Sequence, residues 1–408
     1  MQCRSCESPL ELTFCDLGMS PMANSYIDVA AAGAAERFYP LHAYVCSNCL
    51  LVQLLEYETP EEIFSDYAYF SSFSTSWVEH AKRYVDDVVV RFDLGAEHLA
   101  VEIASNDGYL LQHFGAHGVP TLGVEPAANV AAVAQQNGIE TLIGFFGTEL
   151  AATLVEEGRR ADLIIGNNVL AHVPDLNDFV AGMALLLAPT GRITMEFPHL
   201  LELIRHVEFD TIYHEHFSYF SLLSVSAVFR RHGLRIFDVE QLPTHGGSLR
   251  IFACHDQDLT HVDTPRIDAV LAEERTDGLD RLETYTEFGQ QVLRTKRSLW
   301  RFLADASEAG KVVVGYGAPA KGNTLLNYCG VGPDLVPYTV DRSPYKQGFL
   351  LPGVHIPILP PDQIALTRPD YVLILPWNLR DEIVEQMAHV RDWGGRFVVP
   401  IPEVQFVD

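Results

Sequence analysis

Short apolar runs alternate with helical patterns between about residues 75 and 255. Three of the runs have the length and composition of buried strands, and they read HLAVEIAS, VPTLGVEP and ADLIIGNNVL. The segment AANVAAVAQQNG predicts a helix closed by Gly138, and NDGYLLQHF is expected to open another. This β-α-β alternation predicts a parallel, doubly wound sheet that binds its ligand at the carboxyl ends of its strands.

A second α/β pattern follows a charged stretch, about 264–308, that predicts helix. Strand-like runs recur after it, and they read KVVVGYG, PYTVD, DYVLILPWN and RFVVPIPEV. We therefore expect a second, smaller sheet. The chain divides into a cysteine-bearing module at 1–70, a central domain at 71–258 and a C-terminal domain at 259–408.

Composition narrows the classes of function. With 54 acidic and 28 basic residues the net charge is −26, which disfavours nucleic-acid and anionic-lipid partners. The hydrophobic fraction of 48% and the charged fraction of 20% are typical of a globular chain. No signal-peptide pattern and no long apolar run are present, so we expect a cytoplasmic monomer.

Two C-x2-C pairs lie in the first fifty residues: Cys3 with Cys6, and Cys46 with Cys49. Four thiolates would fill the coordination sphere of a zinc ion and leave no position for substrate, so a structural zinc is predicted. The alternative is four reduced free thiols. Two of the remaining cysteines, Cys254 and Cys329, resemble buried core residues.

The loop after the first central strand reads VEIASNDGYL and has one of the three glycines of a dinucleotide fingerprint. S-adenosylmethionine has no phosphate and needs no such fingerprint, and Glu125 at the next strand end could accept bonds from its ribose hydroxyls. The alternative is a plain α/β core with polar strand ends. The predicted cofactor residues are Glu102, Ser105, Asn106, Gly108, Tyr109, Leu110, Glu125, Pro126, Asn167 and Asn168.

The run FDTIYHEHFSYFS combines a tyrosine, a glutamate and two histidines at Tyr213–His216. Histidines two residues apart do not share a helix face, and no third metal ligand is evident nearby. A neutral histidine can act as a general base, and a tyrosine hydroxyl can donate to a developing oxyanion. Catalysis, metal binding and a plain core or surface segment all stay open at this point.

Basic residues follow glycine turns in two places. GYGAPAKGNT (315–324) can bring backbone amides and Lys321 to a diphosphate, with Lys346 in a neighbouring loop. HGGSLR (245–250) gives a tight turn that carries His245 and Arg250. The alternative for the first motif is a strand-to-helix turn with an exposed lysine.

Several of these motifs together resemble one family, in order along essentially the whole chain. They are VEIASNDGYLLQ, NNVLAHV, FDTIYHEHFSYFS, HGGSLR and VVVGYGAPAKGN. The resemblance is to sugar C-methyltransferases that act on nucleotide-linked 4-keto-deoxyhexoses. It implies a small zinc-binding module, a class I methyltransferase domain with a doubly wound sheet that binds S-adenosylmethionine, and a Rossmann-like domain that contributes to nucleotide-sugar binding.

The resemblance also implies residue roles. His216 would be the base, Tyr213 a donor to the enolate and Glu215 its orienting or sugar-binding neighbour, while His214 has no role. Tyr67 and His172 match further active-site positions. The implied substrate residues are Tyr69, His245, Arg250, Tyr316, Lys321, Asn323 and Lys346.

The sequence thus predicts methyl transfer from S-adenosylmethionine to carbon 3 of a dTDP- or GDP-linked 4-keto-deoxyhexose, in deoxysugar biosynthesis. Carbon 5 is the alternative within the same chemistry, because the carbon 4 ketone activates it too. A hypothesis of another class is a non-catalytic S-adenosylmethionine or nucleotide-sugar binding protein.

Overall fold

A computed structural model describes residues 1–59 and 70–407. Its N-terminal part carries the four cysteines of the two C-x2-C pairs and a small antiparallel sheet. Alternation of buried and half-buried side chains in LHAYV reflects a strand with one face on the core. The strands are β1 (Leu12–Ser20), β2 (Ile27–Asp28), β3 (Tyr39–Val45) and β4 (Val52–Leu54).

The central part forms a seven-stranded sheet flanked by helices. Its strands are β5 (Ala100–Ile103), β6 (Thr121–Glu125), β7 (Thr141–Ile143), β8 (Ala161–Asn167), β9 (Leu187–Pro198), β11 (Leu234–Leu242) and β12 (Ser248–His255), and the short β10 (Ser218–Tyr219) lies outside it. Its helices are α1 (Thr75–Phe92), α2 (Ala128–Gln136), α3 (Thr148–Glu156), α4 (Leu176–Leu186), α5 (Leu200–Arg205) and α6 (Leu222–Arg231).

The strand order of this sheet is β7-β6-β5-β8-β9-β12-β11. The first five strands are parallel, and β12 runs antiparallel to both β9 and β11. All four residues of β5 are buried, as expected for a strand covered on both faces. The order and directions confirm the predicted class I methyltransferase fold.

One predicted element is wrong. No α-helix follows the NDG motif, and the chain instead makes a 3₁₀ segment at Leu111–His117. Gly108 has a φ of +80°, and a β-carbon there would lie 2.2 Å from the Ile139 side chain. The tight turn and the close approach of Ile139 favour irregular backbone where the apolar pattern suggested a helix.

The C-terminal part forms a six-stranded sheet in the order β16-β14-β13-β17-β18-β19, parallel except for β19. Its strands are β13 (Val313–Tyr316), β14 (Thr339–Val340), β16 (Ile358–Leu359), β17 (Tyr371–Ile374), β18 (Arg396–Val399) and β19 (Gln405–Val407), with β15 (Phe349–Leu350) separate from the sheet. The helices are α7 (Pro265–Thr276), α8 (Leu282–Glu308), α9 (Ala320–Cys329), α10 (Asp362–Thr367) and α11 (Arg380–Gln386). The first two of these confirm the helical prediction for 264–308.

The three parts are joined by strand pairing and by packing of apolar side chains. β10 pairs with β4, so the central part adds a strand to the N-terminal sheet. β15 of the C-terminal part pairs with β2 of the N-terminal part. Phe14 of β1 stacks on Phe288 of α8, with ring centroids 4.6 Å apart. None of the helices in the described ranges has the length and apolar character that a membrane crossing requires.

Candidate active site

The four predicted zinc ligands lie together. The sulfurs of Cys3, Cys6, Cys46 and Cys49 are all within 4.8 Å of one another. The Cys3 and Cys49 sulfurs are 3.6 Å apart, and those of Cys6 and Cys46 are 3.4 Å apart. A tetrahedron with zinc–sulfur bonds of about 2.3 Å has sulfur–sulfur edges of about 3.8 Å, so the donor set fits a closed zinc site.

Two N–H donors lie next to the sulfurs of the four-cysteine cluster. The Gln53 side-chain amide lies 3.2 Å from the Cys3 sulfur, and the Asn48 backbone N–H lies 3.4 Å from that of Cys46. Donors of this kind stabilise thiolates and orient them on a metal. Cys254 and Cys329 are buried, as predicted.

The predicted cofactor residues line the carboxyl edge of the central sheet. Glu125 ends β6, and its carboxylate accepts the backbone N–H groups of Asn106 and Ala127, each at 2.9 Å. It thereby joins the loop after β5 to the start of α2. Burial raises the pKa of the Glu125 carboxyl, and the two N–H donors act in the opposite direction.

Three non-glycine residues at this edge of the sheet have a positive φ. Ala104 and Asn106 have φ values of 56° and 50°, and Asn168 after β8 has a φ of 54°. The left-handed region is unfavourable for residues other than glycine and is retained mainly where a site demands it. The loops after β5 and β8 thus each contain at least one residue in a strained conformation.

Several buried polar atoms at the same edge have no partner in the described structure: Glu102 Oε2, Ser105 Oγ, Asp107 Oδ1, Asn167 Nδ2 and Asn168 Oδ1. Buried polar groups are normally hydrogen-bonded, so a cluster of unpaired ones indicates room for a polar ligand. The residues present fit the ribose and methionine ends of S-adenosylmethionine. Burial also raises the pKa of Glu102 well above its ordinary value, with Glu125 and Asp107 contributing.

Other predicted cofactor residues serve the protein interior. The side chains of Leu110 and Tyr109 lie in a hydrophobic cluster with α1. Tyr109 stacks near Trp77, with ring centroids 6.2 Å apart. Pro126 follows Glu125 in the bend after β6.

Tyr213 and His216 form a compact polar cluster after the 3₁₀ turn Phe209–Thr211. His216 Nδ1 lies 2.9 Å from the Thr211 carbonyl oxygen and must donate its hydrogen there. Nε2 is then the acceptor, and it lies 2.7 Å from the Tyr213 hydroxyl. His216 is thus a neutral imidazole whose basic nitrogen points at a tyrosine hydroxyl.

His172 completes this cluster from the loop after β8. Its Nδ1 donates to the Glu215 carbonyl at 2.8 Å, and its ring meets the His216 ring edge-on at 4.7 Å. Burial lowers the pKa of His172 to about 4 and that of His216 well below its usual value, so both rings are uncharged at neutral pH. Glu215 is 5% exposed, and burial raises the pKa of its carboxyl to about 7.

His214 lies away from this cluster. Its ring packs edge-on against Tyr39 and Tyr57, with centroids 6.0 and 6.3 Å away. It has no metal-ligating neighbours among residues 1–59 and 70–407, where the four cysteines form the metal-type cluster. Two predicted residues, Tyr67 and Tyr69, lie outside the described residues.

Arg250 lies on β12, below the HGG turn. It pairs with Glu196 at 2.6 Å and with Glu240 at 3.4 Å, so its charge is already matched. Burial acts to raise the pKa of Glu196, but the bond from His80 and the charge of Arg250 outweigh it and lower that pKa to about 2. Both carboxylate partners of Arg250 belong to the sheet of the central part.

His245 lies in the turn above Arg250. It has a φ of 57°, and its Nε2 is 2.9 Å from the Asn168 side-chain amide. Trp77 approaches the same ring at 5.3 Å. The turn thus brings together His245 and Asn168, which both have a positive φ.

The remaining predicted substrate residues surround the turn after β13. Lys321 donates to Asn378 at 2.9 Å and lies over the Trp377 ring, and Lys346 donates to the Ala318 carbonyl at 2.9 Å. Asn323 donates to the Ala23 carbonyl, and Tyr316 packs into the core of the C-terminal sheet. The Ala318 N–H already donates to Asp341, so this amide of the turn is engaged within the protein.

Sequence reasoning missed residues that the fold brings to the site. Glu196 interrupts the apolar strand ITMEF, and a carboxylate in a buried strand was a signal for it. No local feature of the sequence pointed to the other missed groups, which are Trp77, His80, Asn24 and the Thr211 carbonyl.

Comparisons with known proteins identify three kinds of domain along the chain. Three family profiles match: a zinc binding domain over residues 3–64, a methyltransferase domain over 77–239 and a C-methyltransferase C-terminal domain over 243–402. The C-methyltransferase NovU of Streptomyces niveus is 38% identical over 406 residues, covering 100% of this chain and 96% of that protein.

Solved structures resemble this chain weakly. Magnesium protoporphyrin IX methyltransferase from Synechocystis, with bound SAH, is 15% identical and covers 44% of this chain and 83% of its own, with a TM-score of 0.35. The YcgJ protein of Bacillus is 13% identical, with coverage of 44% and 100% and the same TM-score of 0.35. Similarity at this level carries no functional conclusion.

The relative that matches along the whole chain and the three profiles, in the order of the observed domains, show the family. The chain belongs to the C-methyltransferases and is an S-adenosylmethionine-dependent methyltransferase with an N-terminal zinc-binding module.

Proposed function

We propose that the protein transfers a methyl group from S-adenosylmethionine to carbon 3 of a nucleotide-linked 4-keto-deoxyhexose, dTDP- or GDP-linked, in deoxysugar biosynthesis. One observation carries the proposal. A neutral His216, with Nε2 toward the Tyr213 hydroxyl, lies against His172 in the loop that follows β8. This is the combination that methylation next to a ketone requires.

The reaction needs a carbon nucleophile. A ring carbon beside the carbon 4 ketone becomes nucleophilic when a base removes its proton and a donor stabilises the enolate oxygen. S-adenosylmethionine supplies the electrophilic methyl group when bound. The chain's own residues must therefore move one proton, stabilise one oxyanion and align the two ligands.

His216 is the proposed base and Tyr213 the proposed enolate donor. The Thr211 carbonyl holds the hydrogen on Nδ1 and so keeps the lone pair on Nε2. The Tyr213 hydroxyl, 2.7 Å away, covers that lone pair. Rotation of this hydroxyl toward the substrate ketone would expose Nε2 and supply the oxyanion donor in one movement.

Glu215 and His172 are proposed to complete the site, and Tyr67 is proposed beside them from the family resemblance alone. Glu215 would orient the base or bond to the sugar, because its carboxyl is buried next to His216 in the chain. The His172 ring, 4.7 Å from His216, would contact the reacting sugar. His172 is also a second candidate for the base, which the variants below separate.

The cofactor is proposed to lie along the edge formed by the loops after β5, β6 and β8. Glu125 would accept the ribose hydroxyls, and Asn167 and Asn168 would line the adenine or methionine end. Support comes from the unpaired buried atoms of Glu102, Ser105 and both asparagines.

The nucleotide diphosphate is proposed to bind toward Lys321 and Lys346. Burial is the main reason that the pKa of His216 is lowered, and the positive charge of Lys321 acts on it in the same direction. The charge of Lys321 acts likewise on His245. Lys321 is proposed to offset phosphate charge in a protein of net charge −26.

A panel of nucleotide 4-ketosugars tests the proposal. Product mass should rise by one CH2 unit, because a methyl group replaces a hydrogen, and NMR should place that methyl group at carbon 3. A methyl group at carbon 5 would show that the ring binds turned over His216, and the carbon 3 assignment would then be wrong. If no nucleotide 4-ketosugar is methylated, the substrate class is wrong.

A further inference from the structure

A strap from the N-terminal part contacts Glu215 of the central part on one side and the C-terminal part on the other. We define the strap as residues 21–28, which follow β1 and end in β2. It is fastened to the C-terminal part at three points: Asn323 donates to the Ala23 carbonyl at 3.2 Å, the Tyr26 hydroxyl donates to the Ala318 carbonyl at 2.7 Å, and β2 pairs with β15. The strap is therefore held in one place.

Asn24 of the strap reaches the central part. Its side-chain amide donates to Glu215 Oε1 at 2.7 Å, across 191 residues of sequence. Within residues 1–59 and 70–407 this is the one side-chain hydrogen bond to the Glu215 carboxyl. Glu215 itself is 5% exposed and precedes the proposed base in the chain.

The electrostatic surroundings of Glu215 make this single donor important. Burial raises the pKa of Glu215 to about 7, and the Asn24 amide acts against that rise. Among residues 1–59 and 70–407, the Glu215 charge acts on the Tyr26 hydroxyl of the strap, which Lys346 and Asp341 also influence, and the Lys346 ammonium lies 5.3 Å from the Tyr26 ring. The His172 ring bonds to the backbone carbonyl of Glu215. No cation among the described residues forms an ion pair with this carboxyl.

We propose that Asn24 is a positioning residue, through which the N-terminal module holds the Glu215 carboxyl in place and sets its protonation state. The N-terminal part is then a functional portion of the active site as well as a zinc-bearing module. This inference rests on the proposed function, because the role of Glu215 is part of it.

Replacement of the donor tests the proposal. Asn24→Leu keeps the approximate volume of the side chain and removes its N–H. Loss of a hydrogen bond to a charged group should raise the pKa of Glu215 by about one unit. The limb of the pH–kcat/KM profile that Glu215 sets should move to higher pH by the same amount, while affinity for S-adenosylmethionine is unchanged.

Two further variants serve as controls. Ser25→Ala changes the next residue of the strap, which is exposed and makes no side-chain hydrogen bond to residues 1–59 or 70–407, and should leave the profile in place. In a Glu215→Gln background, which lacks the titrating group, Asn24→Leu should produce no further shift.

An unshifted profile in Asn24→Leu would overturn the proposal, whether the rate is normal or is lowered equally at every pH. Should Asn24→Leu not fold, Asn24→Asp replaces the donor with an acceptor, and the same upward shift is expected. Carbon-13 NMR titration of the Glu215 carboxyl, assigned with Glu215→Gln, gives the shift without any substrate. That titration can fail or succeed independently of the sugar panel.

Discussion

His216 illustrates how one backbone bond determines the chemistry of a side chain. The Thr211 carbonyl accepts from Nδ1, and the basic lone pair must then be on Nε2. Burial lowers the pKa of the ring, so it is neutral and able to accept a proton at neutral pH. The Thr211 bond and burial together set the tautomer of the His216 ring, its charge and the direction of its basic nitrogen.

Variants of His216 and His172 test which of the two histidines is the base. His216→Asn should lower kcat by about 10²–10⁴-fold, because it removes the proton acceptor, while S-adenosylmethionine affinity by calorimetry is unchanged. Hydrogen–deuterium exchange at the carbon next to the ketone should also stop. His172→Asn is the matched variant and should retain exchange. Exchange lost only in His172→Asn would make His172 the base.

Glu125 is predicted to act on the cofactor alone. Glu125→Gln removes the charge that receives the ribose hydroxyls, so affinity for S-adenosylmethionine should fall by about 10-fold. Calorimetry should show unchanged affinity for the nucleotide sugar. Glu140→Gln, at an exposed glutamate paired with Arg159, is the control and should change neither affinity. A loss confined to the sugar would contradict the ribose assignment.

At the scale of elements, the residues proposed to bind the cofactor and the zinc ion lie in short connections at strand ends. The helices and strands hold these connections in place. The loops after β5 and β8 hold the strained residues Asn106 and Asn168. The two cysteine pairs similarly flank the small sheet of β1 and β3. Such connections need an external constraint, which is a ligand in one case and a metal in the other.

The zinc module provides the prediction at this scale. Cys49→Ser should lower bound zinc and the melting temperature, and should make residues 1–59 sensitive to protease, because the coordination sphere holds its loops. Cys15→Ala, at a cysteine outside the cluster, should keep wild-type zinc content. S-adenosylmethionine binding should persist in both. A zinc-free protein with wild-type melting behaviour would rule out a structural metal.

The whole molecule is one interlocked assembly of three parts, and its junction contains buried charge. Glu208 and Asp210 are buried where the central part meets the C-terminal part, and Asp210 accepts from the Trp377 indole at 2.8 Å. Burial raises the pKa of Glu208 to about 8 and that of Asp210 to about 6, and the nearby Lys321 acts in the opposite direction. The junction should therefore respond to pH.

The sign of the response follows from linkage. The folded state binds the Glu208 proton more tightly than the unfolded state, whose glutamates titrate near pH 4.5. The free energy of unfolding should thus fall as pH rises from about 4.5 to about 8. Glu208→Gln should flatten this fall and raise the melting temperature above pH 8, measured by calorimetry from pH 5 to 9. Glu157→Gln, at an exposed glutamate, should keep the wild-type slope.

Much of the architecture could be predicted from local patterns. The apolar runs placed β5, β6 and β8, because burial on both faces of a strand requires continuous apolar runs, and helical periodicity placed the helices after β6 and β8. The cysteine spacing predicted the zinc cluster, because two knuckles carry their geometry locally. The error after the NDG motif arose where the packing of Gly108 against Ile139 outweighed the apolar pattern.

The sequence by itself determined the α/β class, most of the element types and the cysteine cluster, and it proposed the residues with catalytic chemistry. Only the tertiary structure decided which partners those residues have. The Thr211 carbonyl on His216, Asn24 on Glu215, and the matching of Arg250 by Glu196 all depend on packing between distant elements. Periodicity and turn chemistry act over a few residues, so contacts between such elements leave no local pattern in the sequence.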